Sequence, residues 1–85
     1  RLTLVFTPEY IEGQEYVTNR DDIIKIYQDF SKKYHIKFID YSNSEICMHK
    51  QYFYNATHLN KKGSELFTHF LIKDINFSFP IINVN

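Results

Sequence analysis

The apolar residues of this chain fall into two short runs, residues 2–6 and 36–41, and two longer stretches with helical spacing. Both runs are rich in β-branched and aromatic side chains, and Pro8 stops the first, so each predicts a buried strand. The first helical stretch begins at Asn19, a residue type that caps helices. Its apolar stripe consists of Ile23, Ile24, Ile26, Tyr27, Phe30 and Tyr34.

A second helix is predicted to begin after Asn60 as its N-cap. Its buried face would be formed by Leu66, Phe67, Phe70, Leu71 and Ile75. Residues 9–18 are predicted as an irregular connection, and residues 45–54 are ambiguous, with a short helical turn around Cys47. In the tail, residues 76–85, apolar side chains alternate around Pro80, a pattern that fits an extra edge strand because proline is excluded from the centre of a sheet.

The resulting order of strand, helix, strand, loop and helix predicts an α/β fold with a parallel sheet. Two parallel strands make a poor sheet by themselves, since parallel sheets need both faces covered. We therefore expect the 85 residues to form a single partial domain, completed by another part of the same domain or by another copy of the chain. The start at Arg1, without a methionine or a leader pattern, also suggests an interior cut.

Composition narrows the functional classes. Ten basic and ten acidic residues give a net charge of zero, so the net charge does not favour binding to nucleic acid or to an anionic membrane. The apolar runs are far shorter than the roughly 20 residues of a membrane span. A single cysteine, Cys47, excludes an internal disulfide framework and a cysteine-rich zinc site. The sequence leaves the compartment open.

Ligands of open α/β sheets bind beyond the carboxyl ends of the strands. Two segments lie there, residues 7–10 and residues 40–58. The second segment ends within the run Asn55-Ala56-Thr57-His58-Leu59-Asn60. This run resembles the last conserved block of SGNH (GDSL-type) acyl hydrolases. In that family an Asp-x-x-His motif precedes the final helix, and many bacterial members continue with His-Leu-Asn and a Gly-Ser pair, which here is Gly63-Ser64.

The resemblance implies the closing half of a flavodoxin-like three-layer α/β/α sandwich and an esterase-like hydrolase of acyl esters, often acetyl groups on carbohydrate. It implies that His58 is the general base and that Asn55 occupies the position that orients it. It implies no metal and no organic cofactor.

Two departures from the family pattern predict that the chain is inactive by itself. The family's aspartate is Asn55 here, and an amide tends to select the wrong histidine tautomer; in the serine-protease template this exchange costs about 10⁴ in rate. The nucleophilic serine and the oxyanion-hole residues belong to earlier blocks, and no Gly-Asp-Ser turn occurs in the sequence. The alternative is therefore a degenerate, non-catalytic α/β module for binding or self-assembly.

Several residues have competing interpretations. His58 could be a helix-capping or structural residue, and Asn55 a local turn residue. Asp40 and Ser42 could form a substitute triad with His58. Asparagines 55 and 76 each begin a glycosylation acceptor pattern, which is common by chance. Cys47 is predicted to be a small buried residue. The other histidines, which lack metal-ligand spacing, are predicted to be surface or structural residues: His35, His49 and His69.

Overall fold

The computed structural model describes residues 2–75 and 81–84, which form five strands and three α-helices. The strands are β1 (Thr3–Phe6), β2 (Lys37–Asp40), β3 (Phe53–Asn55), β4 (His58–Leu59) and β5 (Ile81–Asn83). The helices are α1 (Ile11–Gln14), α2 (Arg20–Tyr34) and α3 (Lys61–Ile75). Two 3₁₀ turns, Glu45–Met48 and Lys50–Tyr52, lie between β2 and β3.

Strand β1 lies at the centre of a three-stranded parallel sheet, between β2 and β5. All four of its residues are buried, as expected for a central strand that is covered on both faces. The predicted α/β class and parallel sheet are thus confirmed. Strand β5 lies at the edge beside β1, and Val84 donates its backbone N–H to Val5 at 2.9 Å. The predicted alternation around Pro80 falls on residues 76–80, outside the described residues.

The two long helices contact opposite faces of this sheet. Val5 and Ile39 are partners in the β1–β2 register, and both pack in one apolar cluster with Phe67 of α3. Phe38, the neighbour of Ile39, points to the other face because side chains alternate along a strand. Its ring lies 6.0 Å from the ring of Tyr27 in α2.

Helix α2 has the predicted length, but its apolar stripe is largely uncovered. Only Ile24 is buried, whereas Ile26, Phe30 and Tyr34 are 64%, 44% and 53% exposed. A 15-residue helix is about 22 Å long, while a four-residue strand spans about 13 Å, so the sheet is too short to cover it. The predicted cap also fails, because the Asn19 side chain makes no capping hydrogen bond.

Helix α3 begins as predicted. The Asn60 side chain accepts a hydrogen bond from the Gly63 N–H at 2.8 Å, which confirms the N-cap. Of the predicted buried face, Phe67 and Ile75 are buried and the other three residues are partly buried against the core. Near its end the helix is tied to the sheet, because the Tyr41 hydroxyl donates to Asp74 at 2.7 Å.

Two connections differ from the prediction. Residues 9–18 contain the single-turn helix α1, which the mixed composition of the segment did not indicate. In residues 45–59 the short helical turn around Cys47 is confirmed as the first 3₁₀ turn. The difference is an antiparallel hairpin of β3 and β4, in which Phe53 faces Leu59 and Asn55 faces His58. The turn of this hairpin has no Asn-Gly or Asp-Gly dipeptide, and it depends instead on the side chain of Asn55.

Candidate functional site

The carboxyl ends of the parallel strands share one edge of the sheet, and the segments that follow β1 and β2 meet there. Gln14, a buried residue of α1, joins these segments. Its Nε2 atom donates to the carbonyl oxygens of Glu9 (2.7 Å) and Ser42 (3.0 Å), and its Oε1 atom accepts from Arg20 at 2.8 Å. Both the nitrogen and the oxygen of the Gln14 amide are therefore hydrogen-bonded, and the side chain bridges the two segments.

The segment after β1 also packs along the β3–β4 hairpin. Tyr10 donates its backbone N–H to the Ala56 carbonyl at 3.0 Å, and its ring lies 5.6 Å from that of Phe53. Gly13 faces Ala56 so closely that a Cβ atom at position 13 would lie 2.8 Å from the Ala56 methyl carbon. These contacts fix the hairpin, which carries both predicted site residues, beside the end of β1.

Asn55 organises the turn of the hairpin and contacts His58. Its Oδ1 atom accepts the backbone N–H groups of Thr57 and His58, each at 3.0 Å, which is the Asx-turn role considered for this residue. The same oxygen lies 2.9 Å from Nδ1 of the His58 ring. The Thr57 hydroxyl lies 2.9 Å from Nδ1 as well and 3.2 Å from Oδ1. The structure thus brings the two predicted site residues together.

These contacts fix the orientation of the Asn55 amide. Two backbone donors converge on the Asn55 side chain, so the atom that faces them must be the carbonyl oxygen and not the amide nitrogen. This oxygen and the Thr57 hydroxyl both lie 2.9 Å from Nδ1 of His58. The oxygen accepts from Nδ1 in the tautomer that carries the hydrogen there, and the hydroxyl can donate to Nδ1 in the other tautomer.

Glu9 is a partly buried carboxylate in the segment that packs along the hairpin, and the sequence did not single it out. Partial burial raises the pKa of Glu9, and the charges of His58 and Arg20 oppose this rise. Two other carboxylates follow the sheet edge and are engaged elsewhere. Asp40, at the end of β2, accepts the backbone N–H of Ser42 at 2.8 Å, and Glu45 lies 3.9 Å from His49. Only the tertiary contacts of the segment after β1 identify Glu9.

The substitute triad of Asp40, Ser42 and His58 is not formed. The Ser42 side chain is 2% exposed, and its hydroxyl has no hydrogen-bond partner among the residues that the structure describes. Cys47 is buried as predicted: its thiol donates to the Tyr41 carbonyl at 3.3 Å, and burial raises its pKa, so the thiol stays protonated.

The remaining histidines lie apart from this site. His35 follows α2 in the left-handed conformation (φ 55°), His49 contacts the Tyr52 ring edge-on, and His69 is exposed on α3. Within residues 2–75 and 81–84, no three side chains of histidine, cysteine, aspartate or glutamate are grouped to hold a metal ion. In the same part of the chain, every helix is too short or too polar to cross a membrane.

A groove of about 520 Å³ adjoins the hairpin turn, because Asn55 and Ala56 form part of its wall. This volume is in the range of small-molecule sites. Aromatic residues line much of the rest, and two of them, Tyr16 and Tyr54, are largely exposed. Glu12, Glu15 and Lys50 add charged groups. The groove therefore offers both apolar and polar contacts next to His58.

Comparison with known proteins gives no relative: the chain matches no protein-family model, no curated protein and no solved structure.

Proposed function

We propose that this chain is the closing part of an SGNH-like ester hydrolase domain in which His58 is the general base. The fold is compatible with this: a central parallel strand has neighbours on both sides, and helices α2 and α3 contact opposite faces, as in a doubly wound flavodoxin-like sandwich. The His-Leu-Asn-x-x-Gly-Ser run passes into the first turn of α3, and a helix that follows the histidine is what the resemblance implies.

One observation carries the proposal: the Asn55 oxygen accepts two backbone N–H groups and lies 2.9 Å from Nδ1 of His58. In the proposed site Nδ1–H donates to this oxygen, so the Nε2 lone pair of the exposed ring faces outward. In a serine hydrolase this atom removes the proton of the nucleophile and then returns it to the leaving group. Asparagine as the orienting residue occurs in the Cys-His-Asn arrangement of papain-like proteases.

In this proposal the serine comes from another part of the domain. The reaction is hydrolysis or transfer of an ester-linked acyl group, with an acylated carbohydrate as the candidate substrate. The groove beside Asn55 supplies a place for the group that carries the ester. The proposal involves neither a metal ion nor an organic cofactor.

The first test is His58→Ala in the complete protein, assayed with p-nitrophenyl acetate. We expect turnover to fall to the background rate while the melting temperature stays within about 1 °C, because the exposed ring packs in no core. His69→Ala is the matched control, since His69 is an exposed histidine on α3. Undiminished turnover in His58→Ala would rule out the role of His58.

The second test compares Asn55→Asp with Asn55→Ala. A carboxylate can accept the same hydrogen bonds and adds a charge that stabilises the imidazolium, so we expect Asn55→Asp to raise kcat by about 10-fold. Asn55→Ala removes the acceptor that orients the ring and closes the turn, and we expect it to lower kcat by about 10²-fold. Equal kcat values in the two variants would contradict an orienting role.

A non-catalytic module for binding or self-assembly is the second candidate, and the exposed apolar side chains of α2 favour it. Sedimentation velocity at micromolar concentration tests the self-assembly version. If α2 is the interface, the chain should sediment as a dimer, and Phe30→Lys should return it to a monomer. A wild-type chain that is strictly monomeric would exclude this version.

A further inference from the structure

Helix α2 carries a stripe of apolar side chains that the sheet does not cover. Ile26, Phe30 and Tyr34 are exposed, and side chains at this spacing lie on the same side of a helix. The rings of Phe30 and Tyr34 lie 4.7 Å apart. Ile23 is partly buried and extends the stripe toward the start of the helix. The stripe therefore spans about three helical turns.

Two exposed charges, Asp22 near the start of α2 and Lys33 near its end, lie beside this stripe. About three helical turns separate them, or roughly 16 Å along the axis, so both lie on the same flank. The charged pair between them, Lys25 and Asp29, is closed within the helix at 2.9 Å. Asp22 and Lys33 form no ion pair with any residue that the structure describes; Lys33 lies over the Tyr34 ring, 5.4 Å from its centre.

This arrangement is complementary to itself when two copies of α2 pack antiparallel about a two-fold axis. The axis places the start of each helix against the end of the other and keeps like flanks together. Asp22 of one copy then faces Lys33 of the other, and the contact occurs twice. Between these charges the apolar stripes interleave, with Phe30 of one copy between Ile23 and Ile26 of the other. A parallel pair would instead set like charges against each other.

We propose that α2 binds a second copy of this chain, with the two helices antiparallel and Asp22 of each copy paired with Lys33 of the other. The inference deepens the self-assembly candidate above, on which it rests, and it is independent of the hydrolase. One pair of helices forms a small interface, and small interfaces are typical of transient complexes. We therefore expect a reversible dimer with a dissociation constant of roughly 10 µM.

The experiment is sedimentation velocity between about 1 µM and about 300 µM, a range that brackets the expected dissociation constant. Asp22→Lys and Lys33→Asp each turn both symmetry-related attractions into repulsions, so we expect each to weaken the dimer by about 10-fold. The double variant restores opposite charges at both contacts and should return the dissociation constant to within about threefold of the wild type. An equimolar mixture of the two single variants should form a heterodimer, because one carries only lysines at the contacts and the other only aspartates.

The matched controls are Asp21→Lys and Lys32→Asp. Each makes the same change of charge one residue away, at an exposed position on the side of α2 opposite the stripe. Each also has the same effect on the helix dipole as the variant that it matches, so a loss of helix stability would appear in both. We expect both controls to dimerise as the wild type does, and circular dichroism checks that every variant is folded.

A double variant that stays as weak as the single variants would overturn the proposal. A wild-type dimer that none of the charge variants weakens would also overturn it, while leaving self-assembly in another arrangement. A wild-type chain that is monomeric throughout the series would overturn both the inference and the self-assembly candidate; the stripe would then be covered by another part of the domain or by a different protein. Because sedimentation needs no turnover, none of these outcomes depends on the hydrolase proposal.

Discussion

At the scale of single residues, Gly63 shows how closely helix α3 approaches the chain before it. A Cβ atom at this position would lie 2.1 Å from the Tyr52 carbonyl oxygen and 3.0 Å from a methyl carbon of Leu59. The closest neighbour is thus Tyr52, at the end of the second 3₁₀ turn, and the helix can lie this close only because residue 63 has no side chain.

We predict that Gly63→Ala destabilises the chain by about 2–4 kcal/mol, as measured by urea unfolding. Alanine favours a helix by about 1 kcal/mol relative to glycine, but the clash is with backbone and cannot be relieved by a rotamer change. Ser64→Ala is the matched control one residue later; Ser64 is exposed, so its effect should stay within about 0.5 kcal/mol. Equal stability of Gly63→Ala and the wild type would show that α3 does not pack as described.

The ionisation of Glu9 should make stability depend on pH. Burial raises its pKa above 4.5 in the folded chain, so folding favours the protonated form. This contribution is complete below pH 4.5 and is lost as the pH rises through the raised folded value. We therefore predict that Glu9→Gln melts with the wild type at about pH 3.5 but a few degrees higher at pH 7. A lower melting temperature at pH 7 would instead mean that the attraction of His58 and Arg20 outweighs burial.

At the scale of elements, the site depends on how the short helix α1 is fixed between two loops. Gln14 links the segment after β1, the segment after β2 and the start of α2, through Glu9, Ser42 and Arg20. Because the amide is buried, an apolar replacement would leave these partners unsatisfied. The position of the segment that packs on the hairpin therefore depends on a residue outside the hairpin.

We predict that Gln14→Leu lowers the free energy of unfolding by about 1–3 kcal/mol. Amide hydrogen exchange should become faster at Tyr10, whose N–H bonds to Ala56, while the amides of α3 keep their protection relative to global stability. Gln28→Leu, an exposed change on α2, is the control. Unchanged exchange at Tyr10 in Gln14→Leu would mean that the Gln14 amide does not hold the segment in place.

At the scale of the whole molecule, the sheet has three short strands, and β5 covers one side of β1. Residues 81–83 of the tail pair with β1 of the same chain and form an edge strand, which is what the sequence pattern predicts for the tail. Self-association through the tail would therefore require β5 to leave its own sheet, whereas association through the exposed side chains of α2 would not.

We predict that truncation after Ile75 lowers the melting temperature and increases association. The deletion removes β5 and the hydrogen bond from Val84 to Val5, so it exposes one side of the central strand, and open strand edges pair with other chains. Sedimentation velocity and thermal unfolding of the two chains measure both effects. A truncated chain that remains monomeric and equally stable would show that β5 contributes little to the sheet.

The amino-acid sequence by itself determined the elements whose signals are local. Strand β1, the length of α2, the cap of α3 by Asn60 and the parallel sheet follow from periodicity, capping chemistry and element order, which depend on neighbouring residues. Tertiary structure alone decided the exposure of α2, because the span of the sheet sets how much of a helix is covered. It also decided that the segment after β1 packs along the β3–β4 hairpin, through the contacts of Tyr10 and Gly13 with Ala56. That packing depends on which backbone groups and loops meet at the carboxyl edge, and no spacing along the chain encodes that meeting.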